Sequence, residues 1–408
     1  MADTCSVDDL STPAFGNERP FSVGIEEELF LVDRLSGTQI NSSGAVAQRV
    51  GEAPGEIERE LHACQVELIS PVSRSASEAT ATLAELRRAV LATGVGLLGA
   101  GTHPSAPEGS AEITDKDRYE HIRELLGDAV LTPVGGVHVH VGMASAQAAV
   151  RAYNGLREHL PLLLGLSANS PYRHGRDTGL ASAREMTLRG WPRSGVPRAL
   201  ESFDDFRALA TLMTRAADVP DYTWFWWKLR PHPRLGTVEV RALDAQARLE
   251  DTTALAALVH CLAHHHAERD LASPSPPELI EEGLFRAARY GSEAELPDAH
   301  GDLHPLSEVL EQALGLCADS AAELGCAAEL ESLQALAQDG GGAGRQRAVY
   351  EVAGMESLLR SLVEITAGAP RQAATTDRPT RAGVPAPGAA GGRPASASTP
   401  SARRSPSA

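Results

Sequence analysis

The chain is 408 residues long, 42% hydrophobic and 22% charged, a balance typical of a soluble globular protein with length enough for two or three domains. A net charge of −17 argues against nonspecific nucleic-acid binding, and no apolar run approaches the roughly 18 residues of a membrane span. The deficit lies in the body: residues 371–408 carry six Arg and one Asp, net +5, which leaves −22 for residues 1–370. Lys116 and Lys228 are the only lysines, so an anionic ligand has to be held by arginine or by metal. The acidic start, MADTCSVDDL, lacks the apolar stretch of a secretory signal. Five scattered cysteines without a CxxC pair fit a reducing cytoplasm better than a disulfide framework or a structural zinc site.

Residues 1–18 read as a flexible, polar lead-in. Phe21–Val32, FSVGIEEELFLV, reads as a strand, because Val23, Ile25, Leu29 and Leu31 share one parity. Glu26 and Glu28 then project together from the opposite face, and Glu27 points to the apolar side. The attachment points of Glu26 and Glu28 lie about 6.6 Å apart, and at an effective dielectric of about 20 the two anions repel by roughly 2.5 kcal/mol. Solvent, basic partners or cations must relieve that repulsion.

After a turn at Arg34–Gly37 and a mixed stretch to Gly55, Cys64–Ile69 is a second strand, with Val66 and Leu68 opposite Gln65 and Glu67. Leu83, Leu86, Val90 and Leu91 recur at helical spacing behind a start at Ser77-Glu78. Gly94, Gly96 and Gly99 match GxGxxG, but a helix precedes them and a short apolar segment follows, the reverse of the dinucleotide-binding order. A helix over Asp117–Leu126 leads to a third strand, Gly136–Gly142, whose valines oppose His138 and His140.

Residues 147–166 form an apolar helix, and a loop then runs from Ser170 to Ser182 and Arg184. A helix over Asp204–Ala217 precedes the aromatic stretch WFWWKLRPHPRLG and a fourth strand, Thr237–Leu243. In that strand Val238, Val240 and Ala242 oppose Thr237, Glu239 and Arg241. The remainder is helical in pattern, and the Ala/Pro/Ser/Arg composition of residues 369–408 predicts a disordered tail. His264, His265 and His266 are consecutive on a helix and read as polar surface. Walker A and GxSxG motifs are absent.

Four strands thus share one design, apolar on one face and bearing selected polar groups on the other. Joined in one sheet, they place Glu26, Glu28, Glu67, His138, His140, Glu239 and Arg241 on a single face. Four unrelated solvated faces would carry a mixture of Ser, Thr, Lys and Gln. Burying this many charges is costly unless they are paired or coordinate metal, and carboxylate clusters suit Mg²⁺ or Mn²⁺.

The chain resembles a known family at these positions, the glutamate–cysteine ligase type 2 group of carboxylate-amine ligases. The matching motifs, in the family's order over roughly residues 20–365, begin with GIEEE (Gly24–Glu28), QVELISP (Gln65–Pro71), GTHP (Gly101–Pro104) and HVHVG (His138–Gly142). LSANSPY (Leu166–Tyr172), TGLASAR (Thr178–Arg184) and RPHPRLGTVEVRALD (Arg230–Asp244) complete them. The resemblance implies an α+β, glutamine synthetase-like catalytic domain over residues 19–368, with a curved, mainly antiparallel sheet flanked by helices. It also implies ATP and Mg²⁺ (or Mn²⁺), with Glu26, Glu28, Glu67 and Glu239 as metal ligands and His140 beside nucleotide and metal. Arg230 and Arg241 are the implied anion-binding residues for γ-phosphate or a substrate carboxylate, Ser182 and Arg184 are weaker candidates for the same work, and His138 is a candidate general base.

The implied reaction phosphorylates the γ-carboxylate of glutamate with ATP, and an amine, cysteine in the type reaction, then displaces phosphate. Family members can be weak on cysteine, which leaves the amine open. Lys228 departs from the family pattern, which has an acid there, and bears on substrate choice. The expected partners are small molecules, with neither nucleic acid nor membrane, in the cytoplasm, and with a homo-oligomer left open. Two other readings compete: a metal-dependent hydrolase in which His138, His140 and Glu67 bind zinc, and a silent relative kept as a binding protein.

Overall fold

A computed structural model describes residues 10–17, 19–270 and 274–368. Its centre is a sheet of seven strands. β1 (Val23–Val32) is flanked on one side by β3 (Gln65–Ile69) and then β2 (Glu56–Arg59). On the other side lie β5 (Gly136–Gly142), β9 (Thr237–Asp244) and β8 (Leu229–His232), in that order, while β4 (Gly96–Leu98) pairs with the C-terminal end of β1. Every pairing is antiparallel. Two short hairpins stand apart from it, β6 (Tyr172–Arg173) with β7 (Arg176–Asp177), and β10 (Glu295–Pro297) with β11 (Leu303–Pro305).

The expected alternation decides which face is covered. Ile25, Leu29, Leu68, Val137, Val139, Val141, Val238 and Val240 are all fully buried on one side of the sheet. Against them pack helices α2 (Ala76–Ala92), α4 (Ala146–Ser167) and α7 (Leu249–Ala267). Each start fits its sequence: Ser75 accepts the Glu78 amide, Ser145 the Ala148 amide, and Ser202 opens α6 (Phe203–Ala217) by accepting the Asp205 amide. α4 and α7 are apolar on nearly every side because α8 (Pro277–Tyr290), α9 (Leu306–Leu324) and α10 (Ala327–Gln338) pack on them in turn.

The remaining helices are α1 (Ser43–Arg49), α3 (Asp117–Leu126), α5 (Ala183–Leu188) and α11 (Gly341–Thr366), the last broken at Gly354, where φ is 75°. The sheet is thus backed by helices in an α+β arrangement, as expected.

Several local expectations change. Residues 10–17 of the lead-in are tied to the body, with Leu10 buried, the Ala14 amide donating to Pro233 O and the Gly16 amide to Met143 O. Residues 1–9 and the tail expected over 369–408 lie outside the described residues. The loop expected to run to Arg184 ends earlier, because Ser182 caps α5. The histidine run is only in part surface: His266 is buried with its Nε2 3.0 Å from His159 Nε2, while His264 meets Ser320. Gly94 lies between α2 and β4 and Gly96 opens β4, the helix-then-strand order that excludes a dinucleotide fingerprint. Among the described residues no helix is long and apolar enough to cross a membrane.

Candidate active site

The polar groups of five strands form one row because the registers align them. Glu28 stands opposite Glu67 across β1 and β3, and Glu26 opposite His138 across β1 and β5. His140 stands opposite Glu239 across β5 and β9, and Glu239 opposite Arg230 across β9 and β8. His138 sits amid the acids, its Nδ1 3.0 Å from Glu26 Oε2 and 4.0 Å from Glu67 Oε1, its Nε2 3.6 Å from Glu28 Oε1. His140 points Nε2 at Glu26 Oε1 (3.3 Å) and Glu239 Oε1 (3.9 Å), and its Nδ1 lies 3.0 Å from the Thr237 hydroxyl.

The row is electrostatically uneven. Burial alone would raise the Glu26 pKa, but the charge of His140 and hydrogen bonds from both imidazoles hold it well below the usual range. Glu239 is likewise held low against burial, by Arg230 and Arg241. Glu67 is pushed well above the ordinary value by burial and then by Glu26, Glu60 and Glu28. Glu60, at the end of β2, is raised to about 7 by burial and by Glu28. The β3 end of the row therefore carries an excess of negative charge, and the β8 end is neutralised by arginine.

A hard divalent cation fits that excess. Ligand atoms of Glu28, Glu67 and His138 lie within 4.8 Å of one another, as do those of Glu26, His138 and Glu239. The donors are mostly carboxylate oxygens with one imidazole, the set Mg²⁺ and Mn²⁺ favour.

The family model described as "Glutamate-cysteine ligase family 2(GCS2)" matches residues 22–364, the greater part of the chain. The chain belongs to glutamate–cysteine ligase family 2. A provisionally named glutamate–cysteine ligase 2-3 from Rubrobacter xylanophilus is 40% identical over 86% of this chain and 99% of its own length. A provisionally named glutamate–cysteine ligase 2-1 from Mycolicibacterium smegmatis is 35% identical over 86% of this chain and 96% of its own.

Among solved structures, a glutamate–cysteine ligase from Francisella tularensis in complex with AMP superposes with a TM-score of 0.67 at 14% identity, covering 86% of this chain and 89% of that one. A bifunctional glutathione synthetase from Pasteurella multocida gives 0.62 at 16% identity, with 86% of this chain and 52% of that one covered. At such identities the likeness is one of fold, and the α+β class expected from the sequence, a mainly antiparallel sheet flanked by helices, holds.

The structure of this glutamate–cysteine ligase family member distributes the expected residues unequally. Glu26, Glu28, Glu67, His138 and His140 share the row. Glu239 is there too, but both oxygens are engaged: Arg230 Nε lies 2.5 Å from Oε2, Arg230 Nη2 3.3 Å from Oε1, and Arg241 Nη1 also meets Oε1. Arg230 is buried and gives its Nη1 to the carbonyls of Thr223 and Phe225, so its guanidinium holds Glu239 and the aromatic loop. Arg241 is the more open of the two, with 19% of its side chain exposed.

Ser182 is committed to the fold: its hydroxyl donates to Asp244 Oδ1 and accepts the Glu185 amide. Arg184 lies along the start of β5, and only glycine at position 136 admits it there. A Cβ on Gly136 would stand 2.4 Å from Arg184 Nη2 and 3.2 Å from Glu28 Oε2.

Three acids at the site escape the sequence reading. Glu58 faces Glu67 across β2 and β3, and Glu60 continues the same parity; EIERE carries the same alternation as the strands that were read, with Ile57 its single apolar residue. Asp244 is hidden by a β-bulge. Val139 pairs with Val240 but Val137 with Leu243, so an extra residue in β9 turns Leu243 to the core and Asp244 to the polar face. There Asp244 accepts hydrogen bonds from Ser170, Ser182 and the Asn169 amide.

Proposed function

We propose that this chain is an ATP-dependent carboxylate-amine ligase acting on glutamate or a related carboxylate. The observation that carries the reading is the row itself, a buried excess of carboxylate oxygens at one end and guanidinium groups at the other. That arrangement suits phosphoryl transfer, which depends on positioning and charge neutralisation more than on covalent help from the protein. Glu26, Glu28 and Glu67, with Glu239, would hold Mg²⁺, which when bound neutralises the phosphate oxygens of ATP. His138 orients Glu26 and Glu28 from between them, and His140 braces Glu26 against Glu239. Arg241 offers its open guanidinium to the transferring phosphoryl group or to a carboxylate.

In the reaction, a substrate carboxylate oxygen takes the γ-phosphoryl group and ADP leaves. An amine nitrogen then forms the bond to the acyl carbon, the bond to the phosphate oxygen breaks, and the amine gives up a proton. The AMP bound by the Francisella enzyme and the names of the sequence relatives support nucleotide use and the ligase class. Among the described residues Cys64, Cys261, Cys317 and Cys326 are buried and free, which suits a cytoplasmic setting.

The test is ADP release with Mg²⁺, glutamate and a panel of amines that includes cysteine. Amine-dependent ADP formation that requires both Mg²⁺ and the carboxylate supports the reading. Purified protein that holds zinc tightly and forms no ADP with any amine contradicts it in favour of the hydrolase.

A further inference from the structure

Arg184 and Glu185 are adjacent in sequence and both are buried beside the row, at 3% and 0% exposure. A buried carboxylate next to a buried guanidinium ordinarily pairs with it. Here Glu185 is taken by other cations. Its Oε2 lies 2.5 Å from Lys228 Nζ and its Oε1 3.4 Å from Arg189 Nε. Arg184 is left incomplete: Nη2 donates to Arg241 O at 3.2 Å, and Asp244 Oδ1 stands 4.0 Å from Nη1, beyond hydrogen-bond reach. Neither Nε nor Nη1 finds an acceptor among the described residues.

Lys228 is at this place because of strand pairing. It precedes β8, and its carbonyl accepts the Arg241 amide at 2.8 Å, which continues the β8–β9 register and puts its side chain on the same face as Arg230 and Arg241. Its ammonium is fully buried against Glu185, with Arg184 near enough to disfavour its charge after burial itself.

We infer that Lys228 is a positioning residue: by holding Glu185 it keeps that carboxylate off Arg184, and so leaves the Nε and Nη1 donors of Arg184 free for an oxyanion of a substrate. The inference rests on the ligase reading for the choice of oxyanion, which is either the carboxylate of the acceptor or the transferring phosphoryl group of ATP. Both present oxygens that a guanidinium binds in a fork. Without Lys228, the buried Glu185 keeps a single ion-pair partner, the partly exposed Arg189, and is free to turn to the unfilled donors of Arg184, where it competes with the substrate.

The experiment compares wild type with K228Q, K228R, E185Q and K228Q/E185Q. It measures kcat, the KM for glutamate and for ATP, and the unfolding midpoint. It also measures glutamate binding by calorimetry with Mg²⁺ and a non-hydrolysable ATP analogue. K228Q is expected to raise the KM for one of the two ligands by about tenfold or more, the loss of one charge-assisted contact, with a smaller change in kcat. K228R and K228Q/E185Q are expected to return it to near the wild-type value. A rise confined to glutamate assigns the oxyanion to the acceptor, and one confined to ATP assigns it to the phosphoryl group.

An unchanged KM for both ligands in K228Q, or a double variant as impaired as K228Q, overturns the inference. Should K228Q not fold, E185Q decides: binding equal to or tighter than wild type supports it, and loss of binding overturns it. A wild type that binds glutamate with this pattern of variants yet releases no ADP sinks the ligase reading and leaves the inference standing. Active wild type with an indifferent K228Q sinks the inference alone.

Discussion

Glu26 and Glu27 are consecutive residues of β1 whose carboxylates end in opposite situations. Glu27, on the helix side of the sheet, is fully buried and completely satisfied. Arg87 reaches it from α2 with Nη2 on Oε1 (2.8 Å) and Nε on Oε2 (3.0 Å), and the Thr252 hydroxyl of α7 donates to Oε1. The other Arg87 donors go to the carbonyls of Gln246, Ala247 and Thr366, so one ion pair joins β1, α2, α7, the end of α11 and the segment after β9. On the other face Glu26, Glu28 and Glu67 crowd around His138, Glu26 alone of the three also meeting His140, and the repulsion that raises Glu67 is left in place. A charge with every partner supplied by the protein holds the fold, whereas a charge excess left by the protein asks for something from outside.

That contrast can be broken from either side. The largest expected effect is on turnover: Glu26→Gln should lower kcat on the order of 10³-fold or more, about 4 kcal/mol of barrier, while the unfolding midpoint shifts little. Activity within tenfold of wild type in an ADP-release assay would remove Glu26 from the chemistry. Glu27→Gln should do the reverse. It leaves Arg87 buried without its counter-charge and should cost about 3–5 kcal/mol of stability in urea unfolding, with kcat of the folded protein close to wild type. A loss below about 1 kcal/mol would show that Glu27 is no anchor.

The smallest effect is one of pH. Glu60 has its folded pKa raised to about 7 from an ordinary 4.5, so its contribution to stability is fully present below about 4.5 and is lost as pH rises through about 7. Without added metal, Glu60→Gln should therefore gain on wild type as pH rises across that window. A stability difference that does not change with pH would mean that the acids do not repel one another as the row implies.

Much of this was legible in the chain because alternation on a strand needs no tertiary information. The same rule that joined Glu26, Glu28, Glu67, His138, His140, Glu239 and Arg241 also sent Glu27 to the other side. Partners were not legible, since Arg87 lies 60 positions from Glu27 and nothing local marks it as the counter-charge. Asp244 was hidden because a single bulged residue reverses parity, and bulges leave little trace in a short run of sequence. Glu58 lay in a four-residue strand with one apolar residue and Glu60 just beyond its end, too weak a pattern to stand alone. The commitment of Ser182 to a helix cap and of Arg230 to Glu239 came from contacts that motif matching does not resolve.

The central claim is that the acid row exists to receive a divalent cation with ATP. Mn²⁺ binding followed by electron paramagnetic resonance, with and without an ATP analogue, tests it most directly. Wild-type protein should bind Mn²⁺ more tightly with the nucleotide than without it, and Glu26→Gln and Glu67→Gln should each abolish that gain, while Glu27→Gln keeps it. Mn²⁺ binding indifferent to the nucleotide, or equal in wild type, Glu26→Gln and Glu67→Gln, would contradict the account.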